Sequence, residues 1–417
     1  MNAEASKDAG PRKLVIVEEC LIGPAGHFFQ WNKSIKRLNE ARGHTVKVYA
    51  HAELTDELAQ DLGAVKHFKR SWWFRGGPAK TPLHGLYRFF YYTWHNWREN
   101  AAILKREGTA DCILISTVRV HQLIAWYLLC RKHLGKDFQR LFFFVITGQG
   151  TYEKGDPEPK FGRSAALVRF FIRRFAKWEA EGKVCFANDS DQTSKEYEIL
   201  AGVPFNEIPS PAVPVNVRQS RAPQNGAPVR FVTLGPVRHE KGTDLFHAAI
   251  LKYLERYPED PVRFVFHWPN QMRDGNDAPM EPAAAFRDDE RVELVTDFLS
   301  SEQYEALFLN AHCVVLPYRW TSYFARQSNQ VAEAGTAGLP MIVTDDTWLS
   351  RAVDRWAHGL KVPDGEVEPL VNALKQMHDN IGEHLAQAEA RRPQAQAFNS
   401  PERFMAFLWG EPQSDAG

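Results

Sequence analysis

Two series of alternating strand-like and helix-like segments, parted by a proline-rich stretch with no sustained periodicity, leave this chain few folds to adopt. In the first series KLVIVEE (13–19) is a short apolar run, followed by the turn-rich CLIGPAGH and a helix-like segment from Phe28 to about Arg42. Gly43-His44 stops that helix and HTVKVYA begins a second strand, and the alternation returns at DCILIS (111–116), RLFFFVIT (140–147) and KVCFAN (183–188). From Glu207 to Pro228 the sequence is rich in proline and polar residues and reads as an interdomain linker. A second series follows: VRFVTLGP, VRFVFHWP, RVELVTDF, HCVVLPY and PMIVTDD, after which only helices are expected. Such alternation implies parallel sheets covered by helices on both faces. The expectation is an α/β protein of two Rossmann-like, doubly wound domains over residues 12–215 and 226–395, with a terminal helix and tail at 396–417.

A length of 417 residues suits this, since two α/β domains of roughly 200 residues each are the usual size. With 44% apolar and 24% charged residues the composition is globular. The N-terminal MNAEASKDAGPRK is polar and cannot supply the apolar core of a signal peptide. The longest purely apolar stretch in the strand-like parts of the N-terminal half, Leu141 to Ile146, falls far short of the ~20 residues of a membrane span, so a cytoplasmic protein is expected. Cys20, Cys112, Cys130, Cys185 and Cys313 lack a CxxC pair and read as reduced core thiols. The net charge of zero hides an asymmetry: residues 1–215 hold 31 Lys and Arg against 23 Asp and Glu, residues 216–417 hold 20 against 28. A basic half fits an anionic partner such as a phospholipid surface or lipid diphosphate, the alternative being attraction between the two halves. No nucleic-acid partner is expected.

The stretch VRFVTLGPVRHEKGTDLFHAAI (229–250) runs from a buried strand through a glycine loop with two cations into a helix. A tight turn at Gly235 would bring backbone amides near a ligand, and the helix start behind it favours negative charge. Arg238 and Lys241 would add charge-assisted hydrogen bonds to a diphosphate. About 90 residues on, HCVVLPYRWTSYFARQSNQVAEAGTAGLPMIVTDDTWL (312–349) gives a strand, a long loop, a helix bearing Glu333 and another strand. A carboxylate there can accept hydrogen bonds from both hydroxyls of a ribose, and the small Ala334, Gly335, Ala337 and Gly338 would let the helix approach sheet and ligand.

Together these stretches resemble the family 4-like group of retaining GT-B glycosyltransferases, the group 1 glycosyl transferases. That group's C-terminal domain has a G, KG loop followed by a PxxxE…EAxAxGxPVV segment. Between them, RVELVTDFLSSEQYEALFLNAHCVVLPY is similar to the group's strand, S-x-E-x-Y helix and strand, and KVCFANDSDQTSKEYEILAGVPFNEIPSPAVP (183–214) resembles the end of its N-terminal domain. The resemblance implies two domains facing each other across a cleft, with FMAFLW (404–409) returning to pack on the first. It implies that Lys241 meets a donor diphosphate, with Arg238 beside it, that Glu333 holds the nucleotide ribose, and that Gly23 and Gly26 face the phosphates from the other domain. Three departures stand out. Pro236 occupies the place of an arginine, making Arg238 its substitute; Ala325 occupies the place of a first glutamate, where Tyr323, Arg326 and Ser328 are the polar groups; and Gln149 replaces a histidine.

The implied activity is transfer of a sugar from a nucleoside diphosphate-sugar to a glycan or lipid-linked acceptor, with retention and without a metal or other cofactor. A non-catalytic sugar-nucleotide-binding relative and a nucleotide-sugar epimerase of the same fold are the alternatives. Asp189-Ser190-Asp191 spells a metal-binding DxD, but its place between strand and helix suits an N-cap. His27, beside the first glycine loop, and His267, at the end of VRFVFHWP, are candidate sugar or acceptor contacts, with capping or packing as their alternatives. As a helix, 160–178 would set Leu167, Val168, Phe171, Ile172, Phe175 and Trp178 against Arg163, Arg169, Arg173, Arg174 and Lys177, a pattern shared by membrane-interface helices and by core helices with a basic outer face. Residues 66–98 add dense aromatics and cations near the expected acceptor side.

Overall fold

The computed structural model describes residues 10–412 apart from 24–27, 72–80, 146, 211–222 and 224–225. Gly26, His27, most of the proline-rich linker and the SWWFRGGPAK segment beyond Ser71 therefore lie outside the described residues. The chain forms two compact units, Met1–Ala212 with Ser400–Gly417, and Val213–Asn399.

The first unit is built on strands β1 (Lys13–Val17), β2 (Thr45–His51), β3 (Ala64–Phe68), β4 (Ala110–Ile115), β5 (Phe138–Phe144), β8 (Val184–Asn188) and β9 (Asn206–Glu207), with a separate antiparallel hairpin of β6 (Gly150–Glu153) and β7 (Asp156–Phe161). The sheet order is β3-β2-β1-β4-β5-β8-β9, parallel throughout. Successive side chains of a strand point to opposite faces, so both faces of this sheet need apolar residues. Leu14 and Ile16 join one core with the Phe28–Ala41 helix, while Val15 and Val17 join the other with the Val120–His133 and Ala165–Ala180 helices. The apolar runs of the sequence are these central strands. The β3 strand and the hairpin were not apparent there, because neither is a continuous apolar run.

The Pro401–Trp409 helix completes the first core, with Phe404, Met405, Leu408 and Trp409 buried. Trp409 Nε1 donates to Asn39 Oδ1 at 3.0 Å. The helix ends at Gly410 (φ +67°), and the Arg140 guanidinium donates to the Phe407 and Leu408 carbonyls at 3.1 Å each, a cation on the negative end of the helix dipole.

The second unit carries β10 (Val229–Thr233), β11 (Val262–His267), the short pair β12 (Met272–Arg273) and β13 (Pro279–Met280), then β14 (Val292–Val295), β15 (Cys313–Leu316), β16 (Met341–Thr344) and β17 (Gly359–Val362). Its six-stranded parallel sheet is ordered β14-β11-β10-β15-β16-β17. The expectation of helices alone after PMIVTDD is corrected by β17, an edge strand of four residues with only Val362 buried. All five cysteines are unpaired and buried. No helix of the described residues is long and apolar enough to cross a membrane.

The Ala165–Ala180 helix decides between the two readings of its pattern. Val168, Ile172 and Phe175 are buried, with Phe171 and Trp178 packed against the same core. Its apolar face is thus core except for Leu167, which is exposed, and Arg169, Arg173, Arg174 and Lys177 lie on the exposed face. The helix starts at Ala165 and not at 160, because Lys160 and Phe161 belong to β7.

Candidate functional site

In the second unit the chain turns away from the strand order between β10 and β15, and the groups singled out from the sequence gather at the carboxyl ends of these two strands. That switch point is where open α/β sheets hold ligands. β10 leads into Gly235 (φ +92°), then through a single 3-10 turn, His239–Lys241, and Gly242 (φ +62°) into the Thr243–Arg256 helix. A Cβ at Gly235 would stand 3.2 Å from Lys241 Nζ, so the ammonium sits directly over this glycine. Tyr318, just past β15, places its ring 5.9 Å beneath the same ammonium.

The Lys241 ammonium has no hydrogen-bond or ion-pair partner among the described residues, its backbone amide donating to the Arg238 carbonyl at 3.0 Å. Burial pulls its pKa down to about 8, with Arg238 the next contributor, while Glu240 and Glu333 act the other way. Glu333, on the Asn329–Ala337 helix, is the counterpart: burial pushes its carboxyl up to about 7 although Tyr304 Oη donates to Oε2 at 2.6 Å and Lys241 attracts. A cation and an anion, each desolvated and short of partners, suit a ligand with an anionic end for the first and hydroxyl donors for the second.

The loop amides have other duties. The Gly235 amide donates to His267 Nδ1 at 2.9 Å, Val237 to Asn270 Oδ1 at 3.2 Å and Arg238 to Thr243 Oγ1 at 3.2 Å. His267 in turn directs Nε2 at the Asp297 carbonyl, 2.9 Å away. With Nδ1 accepting, Nε2 carries the proton, and burial keeps the ring neutral by lowering its pKa. His267 thereby holds the Gly235 turn in place and has no ring nitrogen left for a sugar. The side chains, not the amides of Gly235, Val237 and Arg238, are left to meet an anion.

Arg238 and Arg326 converge on one carboxylate, each placing Nη1 3.3 Å from Glu240 Oε1, and both are largely exposed. Such pairs contribute little to stability and exchange readily for an incoming anion. Tyr323 is buried beneath Arg326, whose guanidinium carbon lies 5.1 Å from its ring centre, and leans on Tyr318 at 4.4 Å. Ser328 is buried at the start of the Glu333 helix.

Two residues not singled out from the sequence, Gln330 and Tyr304, organise this site. Gln330 Nε2 donates to the Leu234 carbonyl at 2.8 Å and its Oε1 accepts from Tyr318 Oη at 2.8 Å, tying the end of β10 to the end of β15. Tyr304 sits between Gln330 and Glu333, and burial first, then Glu333, raises its pKa, so it stays a donor. The tyrosine of the S-x-E-x-Y segment was the available signal for it. Gly335 serves helix packing: a Cβ there would meet the Trp356 ring at 2.7 Å and Ala395 at 3.2 Å. Gly242 is sterically required, since a Cβ would collide with the Pro317 carbonyl oxygen. Gly242→Ala is expected to lose about 1–3 kcal/mol of stability, read as a lower melting temperature, through overpacking at a left-handed position.

In the first unit, Gly23 has open space around its Cβ position. Gln149 donates weakly to Tyr197 Oη at 3.4 Å, while its amide is held by Glu196. Ser190 is the N-cap of the Asp191–Ala201 helix, accepting from the Thr193 amide. No group of three or more His, Cys, Asp or Glu that could hold a metal occurs among the described residues.

Residues 228–380 match the family model described as glycosyl transferases group 1. No curated protein sequence matches the chain. Among solved structures, a glycosyltransferase from Rickettsia africae is similar over 96% of both chains at 13% identity and a TM-score of 0.60. An Anabaena protein, HepE, in complex with UDP is similar over 94% of this chain and 96% of its own at 11% identity, TM-score 0.59. A Listeria monocytogenes protein assigned as a UDP-N-acetylglucosamine 2-epimerase is similar over 98% and 100% at 14% identity, TM-score 0.56. At these identities the likeness is one of fold, and the fold is GT-B.

Proposed function

We infer, from a C-terminal unit that matches the family model of group 1 glycosyl transferases, that this chain moves a sugar from a nucleoside diphosphate-sugar to a glycan or lipid-linked acceptor. The observation that carries the reading is the opposition of Lys241 and Glu333 at the switch point of the second sheet, each desolvated. In this reading Lys241 neutralises the leaving diphosphate, Arg238 and Arg326 exchange Glu240 for phosphate oxygens, and Glu333 accepts from the ribose hydroxyls. UDP and UDP-glucose complexes of the Anabaena protein support a nucleotide-sugar donor. Retention follows from the family resemblance. Arg238 and Lys241 on one loop, with Arg326 reaching Glu240 from another, support catalysis without a metal. The excess of Lys and Arg in residues 1–215 supports a cytoplasmic enzyme that works against an anionic membrane.

Thermal-shift titration with UDP-, GDP-, ADP- and dTDP-sugars should find one nucleotide that stabilises the protein. Stabilisation by none would remove the donor reading. With that donor, product should form only when an acceptor is present. Conversion of the donor alone to its epimer would make the chain an isomerase. Activity should survive EDTA, and a complete loss restored by Mg²⁺ or Mn²⁺ would show that the cations are not sufficient.

A further inference from the structure

The Pro82–Glu107 helix is built inside out. At 100° per residue Leu83, Leu86, Tyr87, Phe90, Trp94 and Trp97 fall within an arc of about 100°, and all six are exposed, from 38% at Trp97 to 80% at Leu83. The opposite arc is buried and largely polar, with Arg88, Tyr92, Asn96 and Asn100. Asn96 Nδ2 donates to Glu19 Oε2 at 2.6 Å and Asn100 Nδ2 to Asn96 Oδ1 at 2.9 Å. A helix on a water-facing surface has the reverse arrangement. The polar arc is fixed by these buried partners, so the apolar arc is held outward. Single exposed apolar side chains need no explanation, but an unbroken stripe about 20 Å long does.

The surroundings of the stripe are basic. The helices Pro82–Glu107, Val120–His133 and Ala165–Ala180 carry four, two and four Lys or Arg, against two, none and one Asp or Glu. Arg98 lies over the Trp94 ring at 5.3 Å and Arg174 over Phe170 at 4.4 Å, in each case a cation beside an exposed ring. At the Trp97 end the stripe opens into a groove of about 790 Å³ whose lining includes Lys105, Leu128, Lys132, His133 and Asp137. Asp137 is bound to His133, and Lys105 and Lys132 are exposed.

We propose that this face of the first unit is a docking surface for an anionic bilayer, with the Leu83-to-Trp97 stripe lying in the interfacial layer and Lys105 and Lys132 meeting lipid phosphates at its end. Tryptophan and tyrosine favour that layer, and lysine and arginine beside them add attraction to anionic headgroups. A second copy of the chain fits less well, because it would set this positive face against itself. The proposal sharpens the membrane contact of the reading above, placing it on the Pro82–Glu107 helix, and it does not depend on the transferase chemistry.

The test is flotation with phosphatidylcholine vesicles, with and without about a third of phosphatidylglycerol, at low and physiological salt. Wild type should float with the anionic vesicles, less so as salt rises. Phe90→Asp/Trp94→Asp should lose at least tenfold in partitioning, and Lys105→Glu/Lys132→Glu should lose binding to anionic vesicles. Nucleotide affinity and melting temperature, measured on the same variants, should match wild type, which separates a failed docking surface from a failed fold or a failed donor site. No flotation by the wild type, or equal flotation by the aromatic variant, overturns the proposal. So does a wild-type dimer in light scattering that the aromatic variant converts to monomer without any vesicle binding.

Discussion

Lys241→Ala is expected to lower turnover by about 10²-fold or more, the scale of losing one preorganised donor to developing charge, while the affinity for donor falls much less. Burial brings the pKa of Lys241 to about 8, so its ammonium is weakly solvated before any ligand arrives. A group in that condition gains most from an anion, and it gains more as the glycosidic bond breaks and charge collects on the diphosphate. Gly235 is part of the same device: its positive φ and missing Cβ leave the ammonium its place over the turn. Steady-state kinetics with calorimetric titration of the matching donor separates the two effects. If the variant keeps full turnover, or loses only affinity, Lys241 does not face the leaving group.

The elements that position this lysine were legible because each leaves a local mark. Buried parallel strands are continuous apolar runs, and VRFVTLGP and HCVVLPY became β10 and β15; the glycine turn and the helix after it followed from Gly235 and Lys241-Gly242. What could not be read depends on partners far along the chain. β17 is only four residues with one buried, and it is a strand because Met341 to Thr344 offer it an edge. The Pro82–Glu107 helix has an apolar arc and a polar arc, and periodicity cannot say which faces in. Glu19, 77 residues before Asn96, settles that against the usual choice. The same holds for His267: its place at a strand end marked it as a ligand candidate, but the Gly235 amide and the Asp297 carbonyl take both nitrogens. The aromatic-basic pattern of residues 160–178 likewise fitted two environments, and Val168, Ile172 and Phe175 put its apolar face in the core.

Glu333→Gln is expected to weaken nucleotide-sugar binding by about 1.5–3 kcal/mol, roughly 10- to 150-fold, the range for a hydrogen bond to a charged group. It should also change the shape of the pH dependence. The carboxyl of Glu333 is raised by burial to about 7, so below that pH the group is protonated and offers one acceptor fewer to a ribose. Ligand hydroxyls favour the ionised form; binding therefore releases a proton at acidic pH, and affinity should climb by up to tenfold per pH unit toward 7. At the other end Lys241, lowered to about 8, must hold its proton to meet the diphosphate, so affinity should fall again above that value. The bridging phosphates of an intact nucleotide sugar do not titrate in this range, which makes it the proper ligand. Titrated without acceptor from pH 6 to 9, wild type should give a narrow bell with its maximum between 7 and 8. Glu333→Gln should lose the acid limb and keep the alkaline one, so that the two proteins differ most near pH 7.5 and least at pH 6. A flat wild-type profile, or an acid limb that survives in Glu333→Gln, would place the ribose away from this carboxylate.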